Sequence, residues 1–137
     1  MILIQCTQSK RSAKAKARTL YDESDLFVAM RDYAEATGED YYILSAKHGL
    51  VDPETVLEPY DERGITPKQA RAIAEEIATG PSDYVELIAG KDYTDPLTPE
   101  LEARGIEVLE VCRGQRIGER IQTLNRKRRE LENEQLC

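Results

Sequence analysis

The chain contains no tryptophan, one phenylalanine, one histidine and only three cysteines in 137 residues. Cys6, Cys112 and Cys137 are an odd number without C-x-x-C spacing, which disfavours both a disulfide framework and a structural zinc site. The longest apolar run is a handful of residues, far short of the roughly 20 that cross a bilayer. The start, M-I-L-I-Q-C, lacks the basic residues and the cleavage site of a signal peptide. We therefore expect a cytoplasmic protein with reduced thiols that is neither exported nor embedded in a membrane.

Common cofactor and catalytic motifs are also missing. The sequence has neither a Walker loop nor the G-x-G-x-x-G fingerprint of dinucleotide-binding folds, so ATP and NAD sites are not indicated. It has no G-x-S-x-G elbow, no H-E-x-x-H pair and no group of histidines, which removes support for standard hydrolases and metalloenzymes. We therefore expect no cofactor and no metal ligands.

Charge is unevenly distributed along the chain. The formal net charge is −7, but residues 7–18 carry five basic residues and no acid, and residues 113–129 carry seven basic residues against one glutamate. The rest of the chain therefore has a net charge of −18. The two basic segments either meet an anion such as phosphate or are solvated helix faces, and the sequence leaves both interpretations open.

Four short apolar segments predict β-strands, because they are rich in aliphatic, aromatic and β-branched residues and are bounded by glycine, proline and polar residues. The predicted strands cover residues 1–6, 41–45, 84–89 and 106–111. Residues 7–22 are expected to form a long loop, with or without a short helical turn. Residues 46–65 are expected to be a second long connection.

Two of the predicted helices begin at well-defined caps. Ser24 can cap a helix whose apolar residues recur at helical spacing as far as Gly38. Thr66 is followed by proline and, three residues on, by Gln69, which predicts a capping box and a helix to about residue 78. These two helices separate the first three predicted strands.

Two further helices are predicted in the second half of the chain. A short one is expected from Thr98 to Gly105, after a loop at residues 90–96. A last helix at about residues 116–132 is expected to bury one apolar face, formed by Ile117, Ile121 and Leu124.

Strands and helices alternate along the whole chain, which indicates parallel strands joined by crossover helices. The sequence therefore predicts a single-domain, three-layer, Rossmann-like α/β fold. Its mostly parallel sheet has four or more strands with flanking helices. We assign residues 1–125 to this domain and residues 126–137 to a charged C-terminal helix end or tail.

Unusual polar residues concentrate in the four segments that follow the strands: C-T-Q-S-K, S-A-K-H-G-L-V-D-P, A-G-K-D-Y and C-R-G-Q-R-I-G. The carboxyl ends of parallel strands meet at one edge of a sheet, and open α/β sheets bind their ligands there. The opposite edge carries ordinary turns, such as residues 38–40 and 80–82. We therefore expect the functional site at the carboxyl edge.

The first of these segments can hold an anion or a carbonyl oxygen. Thr7, Ser9 and Lys10 supply two hydroxyls and an ammonium group. Cys6 has two interpretations: basic neighbours would favour a nucleophilic thiolate, whereas a cysteine at a strand end is usually a small buried hydrophobe. We expect Lys10 to contact the ligand and Cys6 to be mainly structural.

The second segment contains the only imidazole of the chain, His48, and therefore the only histidine for acid–base catalysis at neutral pH. Asp61 lies downstream in a long loop, where its carboxylate can orient His48 or accept a substrate N–H. The alternative is that His48 and Asp61 only tie this loop to the sheet. Candidate ligand contacts in the same segments are Ser45, Lys47 and Tyr60.

The third and fourth segments place glycines beside polar side chains. Gly90 allows close approach of the backbone to a ligand, and Tyr93 can read a base. Arg116 is a candidate phosphate contact. Parallel topology predicts that Lys10, His48 or Asp61, and Tyr93 lie within about one small-ligand width of each other.

These segments together resemble an uncharacterised family of small bacterial and archaeal domains marked by C-x-x-S-K, S-A-K-H-G-L, P-Y-D, A-G-x-x-Y and G-x-x-I-G. The pattern is more remotely similar to the YaaA family of peroxide-stress proteins and to the catalytic core of archaeosine synthases, which attach lysine to a deazaguanine nitrile in tRNA. Cys6, Lys10 and the Tyr60-Asp61 pair occupy comparable places in that core, but its following Thr-Gly-x-Trp is absent here. The resemblance implies a nucleobase or nucleic-acid theme, and it does not imply the lysine-transfer reaction.

Two functions from different classes remain. The first is an enzyme that acts on a nucleobase, nucleotide or modified nucleic acid by base modification, hydrolysis or transfer. In that enzyme Ser9, Lys10 and Arg116 hold phosphate, while His48 or Asp61 moves a proton. The second is a non-catalytic nucleic-acid-binding protein of the YaaA-like stress type that uses both basic segments. The acidic remainder of the chain opposes wrapping by duplex DNA, so we favour the enzyme.

Overall fold

A computed structural model describes residues 1–7 and 10–135 of the chain. In chain order the strands are β1 (Ile2–Gln5), β2 (Ala15–Lys16), β3 (Tyr41–Ser45), β4 (Gly49–Val51), β5 (Val56–Leu57), β6 (Tyr84–Ile88) and β7 (Glu107–Glu110). Five of them form one sheet in the order β4-β3-β1-β6-β7, and β2 and β5 form a separate antiparallel ribbon. Only β4 runs antiparallel to its neighbour in the five-stranded sheet, so the mostly parallel sheet predicted from the sequence is confirmed.

Five helices accompany the strands in the described part of the chain: α1 (Ala17–Leu20), α2 (Asp25–Thr37), α3 (Pro67–Ala78), α4 (Lys91–Ala103) and α5 (Ile117–Gln135). The Ser24 hydroxyl caps α2 by accepting the Phe27 N–H at 3.2 Å. Thr66 and Gln69 form the predicted capping box at the start of α3, each side chain accepting the backbone N–H of the other residue. Within the described residues, no helix is long and apolar enough to span a membrane.

The central strand β1 organises the core. Ile2, Leu3 and Ile4 are fully buried, and the register pairs Ile4 with Ile43 on one side and Ile88 on the other. A run that is apolar at every position suits a parallel strand because helices cover both faces of such a sheet. The helices pack in two pairs, α2 with α5 and α3 with α4.

The direction of the connections reverses at the centre of the sheet. The chain passes from β1 to β3 on one side of β1, and then crosses to β6 and continues outward to β7 on the other side. Right-handed connections then place α2 on one face of the sheet and α3 with α4 on the other. The reversal lies between β1 and β6, which is where open α/β sheets form a crevice at the carboxyl ends of their strands.

The prediction that residues 90–96 form a loop and that a helix starts at Thr98 is wrong, because α4 begins at Lys91. Pro96 lies inside this helix, and a proline has no N–H to donate to the carbonyl four residues earlier. That carbonyl, of Asp92, instead accepts the Ile65 N–H at 3.3 Å. The helix tolerates Pro96 because a neighbouring segment replaces the missing hydrogen bond.

The prediction that Ile117 is buried is also wrong. Leu124 is fully buried and Ile121 is half-buried, but the Ile117 side chain is 61% exposed. Ile117 is the first residue of α5 and borders an open cavity, so apolar spacing along the helix did not reveal its environment. The long connection at residues 46–65 contains β4 and β5, which are too short to give a strand pattern of their own.

Candidate functional site

A cavity of about 630 Å³ opens at the reversal point of the sheet. Its floor is formed by residues 5–7, which follow β1, and one wall is formed by residues 90–93 at the start of α4. The other walls come from residues 23–26 at the start of α2, residues 62–64 of the long connection, and Ile117, Arg120 and Ile121 of α5. The volume lies within the range of roughly 300–1,000 Å³ that is typical of small-molecule sites.

A thiol and a phenol meet at the floor of the cavity. Cys6 is 2% exposed, and its Sγ lies 3.1 Å from the Tyr93 hydroxyl. The Tyr93 oxygen accepts the Gly64 N–H at 3.2 Å, which leaves the hydroxyl proton for the sulfur or for a ligand. Burial, followed by the nearby Cys6, raises the pKa of Tyr93 well above its ordinary value. Tyr93 is therefore a neutral hydrogen-bond donor at physiological pH.

A second group of hydroxyls lies beside Cys6. Ser45 is fully buried, and its Oγ accepts the N–H groups of Lys47 and His48 at 3.3 and 3.0 Å while donating to the Tyr60 hydroxyl at 2.8 Å. Tyr60 is in turn hydrogen-bonded to the Tyr21 hydroxyl. Burial is the main cause that raises the pKa of Tyr60 far above its usual range and that of Tyr21 to about 12. Both phenols therefore stay protonated.

Lys10 and His48 meet at the ring of Tyr60. The Lys10 ammonium lies 4.6 Å from the centre of the Tyr60 ring and 5.7 Å from that of Tyr21, within the range of a cation–π contact. The His48 ring packs edge-on against Tyr60, with 5.5 Å between ring centres. The segments that follow β1 and β3 therefore come together at Tyr60, although they are far apart in the sequence.

The structure divides the candidate residues from the sequence into three groups. Cys6, Thr7, Gly90 and Tyr93 line the cavity. Beside it lies the group joined through Tyr60, which comprises Lys10, Ser45, Tyr60 and His48. Outside the cavity are Lys47, Asp61 and Arg116, all of which are exposed, and Ser9 lies outside the described residues, as does Cys137.

One cavity residue that sequence reasoning missed is Arg120. Its Nε donates to the Gln115 carbonyl at 2.9 Å, and its guanidinium lies against Gly90. Arg116, the predicted contact, is one helical turn earlier, and its backbone N–H bonds to the Glu119 carboxylate at 3.3 Å. No sequence signal separates the two arginines, because residues four positions apart at a helix start project to similar sides.

Gln5 is a second residue that was missed. Its Oε1 accepts the Gly90 N–H, which joins the end of β1 to the start of α4. Tyr21 is a third residue that was missed, and its hydroxyl is hydrogen-bonded to that of Tyr60. Within residues 1–7 and 10–135, no group of three or more His, Cys, Asp or Glu side chains could hold a metal ion. The described site offers hydroxyl, thiol and guanidinium groups, together with the acidic residues that line the cavity: Glu23, Asp25, Glu62 and Asp92.

Comparison with protein families gives a match over most of the chain. The chain belongs to DUF6884, a family of unknown function. The match covers residues 1–126, which include every residue of the cavity and of the Tyr60 group. No curated protein and no solved structure matches the chain. Membership of the family therefore adds no activity to what the site itself indicates.

Proposed function

We propose that this chain is an enzyme that acts on a nucleobase or nucleotide, bound in the cavity at the carboxyl ends of β1 and β6. The observation that carries the proposal is the pairing of Cys6 and Tyr93 at the floor of that cavity. Both residues are among those that line the cavity, although Tyr93 is only 5% exposed. Here the hydroxyl is fixed by the Gly64 N–H and held protonated by burial.

This arrangement suits the chemistry of a heterocycle. A neutral phenol can donate a hydrogen bond to a ring nitrogen or a carbonyl oxygen, and the bond strengthens as negative charge develops on that atom. In this proposal Cys6 orients the Tyr93 hydroxyl. Of the acid–base candidates from the sequence, His48 packs against Tyr60 beside the cavity, whereas Asp61 is exposed and outside it, so the geometry favours His48. The reaction class is base modification, hydrolysis or transfer.

The charge of the two basic segments favours this proposal over nucleic-acid binding. Three of the five basic residues in residues 7–18, and three of the seven in residues 113–129, form ion pairs with carboxylates of the same chain. These carboxylates lower the net positive charge that each segment presents, and nucleic-acid binding draws much of its affinity from such charge. The paired residues are Arg11, Lys16, Arg18, Arg113, Arg126 and Arg128.

The nucleobase part of the proposal is supported by resemblance. Cys6, Lys10 and the Tyr60-Asp61 pair match places in the core of archaeosine synthases, which act on a deazaguanine. Tyr60 is the centre of the group of hydroxyls described above, and Lys10 and Cys6 both lie beside it. The lysine-transfer reaction of those enzymes is not part of the proposal.

The first test is a thermal-shift screen with nucleobases, nucleosides and nucleotides. A ligand present at about 100 times its dissociation constant adds about 2.7 kcal/mol to the free energy of unfolding, which is easily measured as a higher melting temperature. We expect at least one nucleobase-containing compound to stabilise the protein and to be chemically converted on incubation. A screen in which none of them raises the melting temperature would contradict the proposal.

The second test removes the Tyr93 hydroxyl with Tyr93→Phe. We expect turnover of the stabilising compound to fall about 100-fold or more, because the donor aimed at the ligand is lost. Tyr84→Phe is the matched control, since Tyr84 is exposed at the opposite end of β6. Equal turnover in the two variants, with both folded by circular dichroism, would exclude Tyr93 from the reaction.

A further inference from the structure

The ion-pairing of the arginines sets Arg120 apart. Five arginines of the described chain are partly buried, and four of them form an ion pair with a carboxylate: Arg18, Arg31, Arg104 and Arg128. Arg120 is the fifth, and no carboxylate of the described residues pairs with it. In a chain with 26 acidic residues, a partly buried guanidinium without a counter-ion indicates an anion from outside the chain.

The turn after β7 fixes the direction of this guanidinium. The Gln115 carbonyl accepts a hydrogen bond from Arg120 Nε. Its backbone N–H donates to the Cys112 carbonyl at 3.1 Å, and its side-chain oxygen accepts the Thr123 hydroxyl at 3.0 Å. Cys112 adopts φ 66° and Gly114 φ 78°, so the turn contains two left-handed residues. A left-handed cysteine costs about 1–2 kcal/mol, a cost that folded structures concentrate at functional positions.

The guanidinium lies beside Gly90 at the cavity. A Cβ on Gly90 would be in ordinary van der Waals contact with it, 3.6 Å from Arg120 Nη1 and 3.4 Å from Gln5 Oε1. Only the Nε of Arg120 donates to Gln115, and the two terminal amino groups have no hydrogen-bond acceptor among the described residues. They form a planar pair of donors, which matches two oxygens of a phosphate.

The charge around Arg120 is mixed. Arg120 lies within the basic segment of residues 113–129, which has a net charge of +6, but four acidic residues also line the cavity: Glu23, Asp25, Glu62 and Asp92. None of these four pairs with Arg120, so its guanidinium stays available to an anion. Next to Arg120 on α5, Ile117 and Ile121 give the same wall an apolar surface. Their position explains why Ile117 is 61% exposed: it faces the space that a ligand would fill.

We propose that Arg120 is the anion subsite of the cavity and that the ligand is a mononucleotide, with its phosphate on Arg120 and its base toward Tyr93. The identity of the base rests on the proposed function, whereas the anion subsite does not. Ile117 and Ile121 then cover one face of the nucleoside. The strained turn at Cys112 is a positioning element that holds Arg120 through Gln115.

The experiment compares each 5′-ribonucleoside monophosphate with its nucleoside, together with inorganic phosphate, at ionic strength matched with chloride. Binding is measured by calorimetry on the full chain. We expect the monophosphate of the preferred base to bind about 10- to 100-fold more tightly than the nucleoside, because charge-assisted hydrogen bonds of this kind contribute that much. Arg120→Gln should remove the difference. Arg129→Gln is the control, since Arg129 is an exposed residue on the same helix.

Each outcome separates the subsite from the proposed function. Equal binding of nucleoside and monophosphate to the natural chain would overturn the subsite and leave the proposed function standing. A difference that persists in a folded Arg120→Gln variant would also overturn it. Phosphate bound through Arg120 without any nucleoside binding would support the subsite and contradict the nucleobase part. Binding of neither phosphate nor nucleotide would overturn both.

Discussion

The two ends of the sheet close their loops in different ways. At the carboxyl end, side chains from separate loops bond to one another: Cys6 with Tyr93, Ser45 with Tyr60, and Gln5 with the Gly90 backbone. At the amino end, turns close on the helix that precedes them. Gly38 donates its N–H to Glu35, and Gly105 donates to Glu102.

This difference has a physical consequence. A turn closed by its own helix depends on a few neighbouring residues, so a substitution there has a local effect. The contacts at the carboxyl end join residues that are 15 to 87 positions apart in the sequence, so one substitution releases several elements together. The amino end also has a side-chain contact between distant residues, Arg18 with Glu35, whereas the contacts at the carboxyl end hold side chains around a cavity, which is what a binding site needs.

The largest expected effect comes from two left-handed glycines, one at each end. Gly64 has φ 69°, and a Cβ there would lie 3.2 Å from the Asp92 Cβ. Gly105 has φ 79° and open space around it. Gly64→Ala should therefore lower the free energy of unfolding by about 2–4 kcal/mol, from backbone strain and overpacking, whereas Gly105→Ala should cost about 1–2 kcal/mol from strain alone. Urea unfolding of both variants measures the difference.

Ligand binding sharpens the same comparison. Gly64 also donates its N–H to Tyr93, so a displaced Gly64 should loosen the hydroxyl at the cavity floor. Gly64→Ala should weaken the binding of any ligand in the cavity, and Gly105→Ala should leave the affinity of that ligand unchanged. If the two alanine variants lose equal stability and equal affinity, the two ends are not built differently.

A smaller effect is expected for a pair of serines. Ser45→Ala removes the acceptor of two backbone N–H groups and the donor to Tyr60, and leaves these part-buried groups without that partner. We expect a loss of about 1–3 kcal/mol in the free energy of unfolding, measured with urea. Ser82 at the amino end is the control, since its side chain has no hydrogen bond to any residue that the structure describes, and Ser82→Ala should stay within about 0.5 kcal/mol. A silent Ser45→Ala would mean that the Tyr60 group is not held by Ser45.

The sequence predicted the elements whose signals are local. The caps at Ser24 and Thr66 and the apolar run at residues 2–4 depend only on neighbouring residues, and all three are confirmed. The start of α4 was not predictable in this way. Whether Pro96 ends a helix depends on an acceptor carbonyl being satisfied from another segment, here by Ile65.

The site was predictable as a location and only partly as a set of residues. Parallel topology predicted that the loops after the strands meet at one edge, and four of the candidate residues, Cys6, Thr7, Gly90 and Tyr93, line the cavity there. The choice between Arg116 and Arg120 was not accessible. It depends on how α5 is rotated about its axis, and that rotation is set by packing against α2 and by the Gln115 carbonyl. Contacts of this kind leave no periodic signal.

The smallest expected effect concerns a hydrogen-bonded network at the end of α2 and the start of β3. Arg18 donates to both carboxylate oxygens of Glu35 at 3.0 Å, and the Tyr41 hydroxyl donates to the same group. Partial burial raises the pKa of Glu35, but the hydrogen bonds from Arg18 and Tyr41 outweigh it and hold the pKa below its ordinary value of 4.5. A lowered folded-state pKa adds stability that is complete above the unfolded pKa and is lost as the pH falls through the folded one.

Glu35→Gln should therefore cost at most about 1 kcal/mol at pH 7, because the Arg18 and Glu35 side chains are 34% and 33% exposed and solvent screens the pair. The same variant should lose less stability than the natural chain on acidification below pH 4.5, since its side chain has no proton to gain. Thermal unfolding at pH 7, 4.5 and 3.5 measures both effects. An identical acid dependence in the two proteins would show that Glu35 does not contribute to it. A loss at pH 7 as large as that of Ser45→Ala would remove the difference in energy between the buried carboxyl end and the solvated amino end.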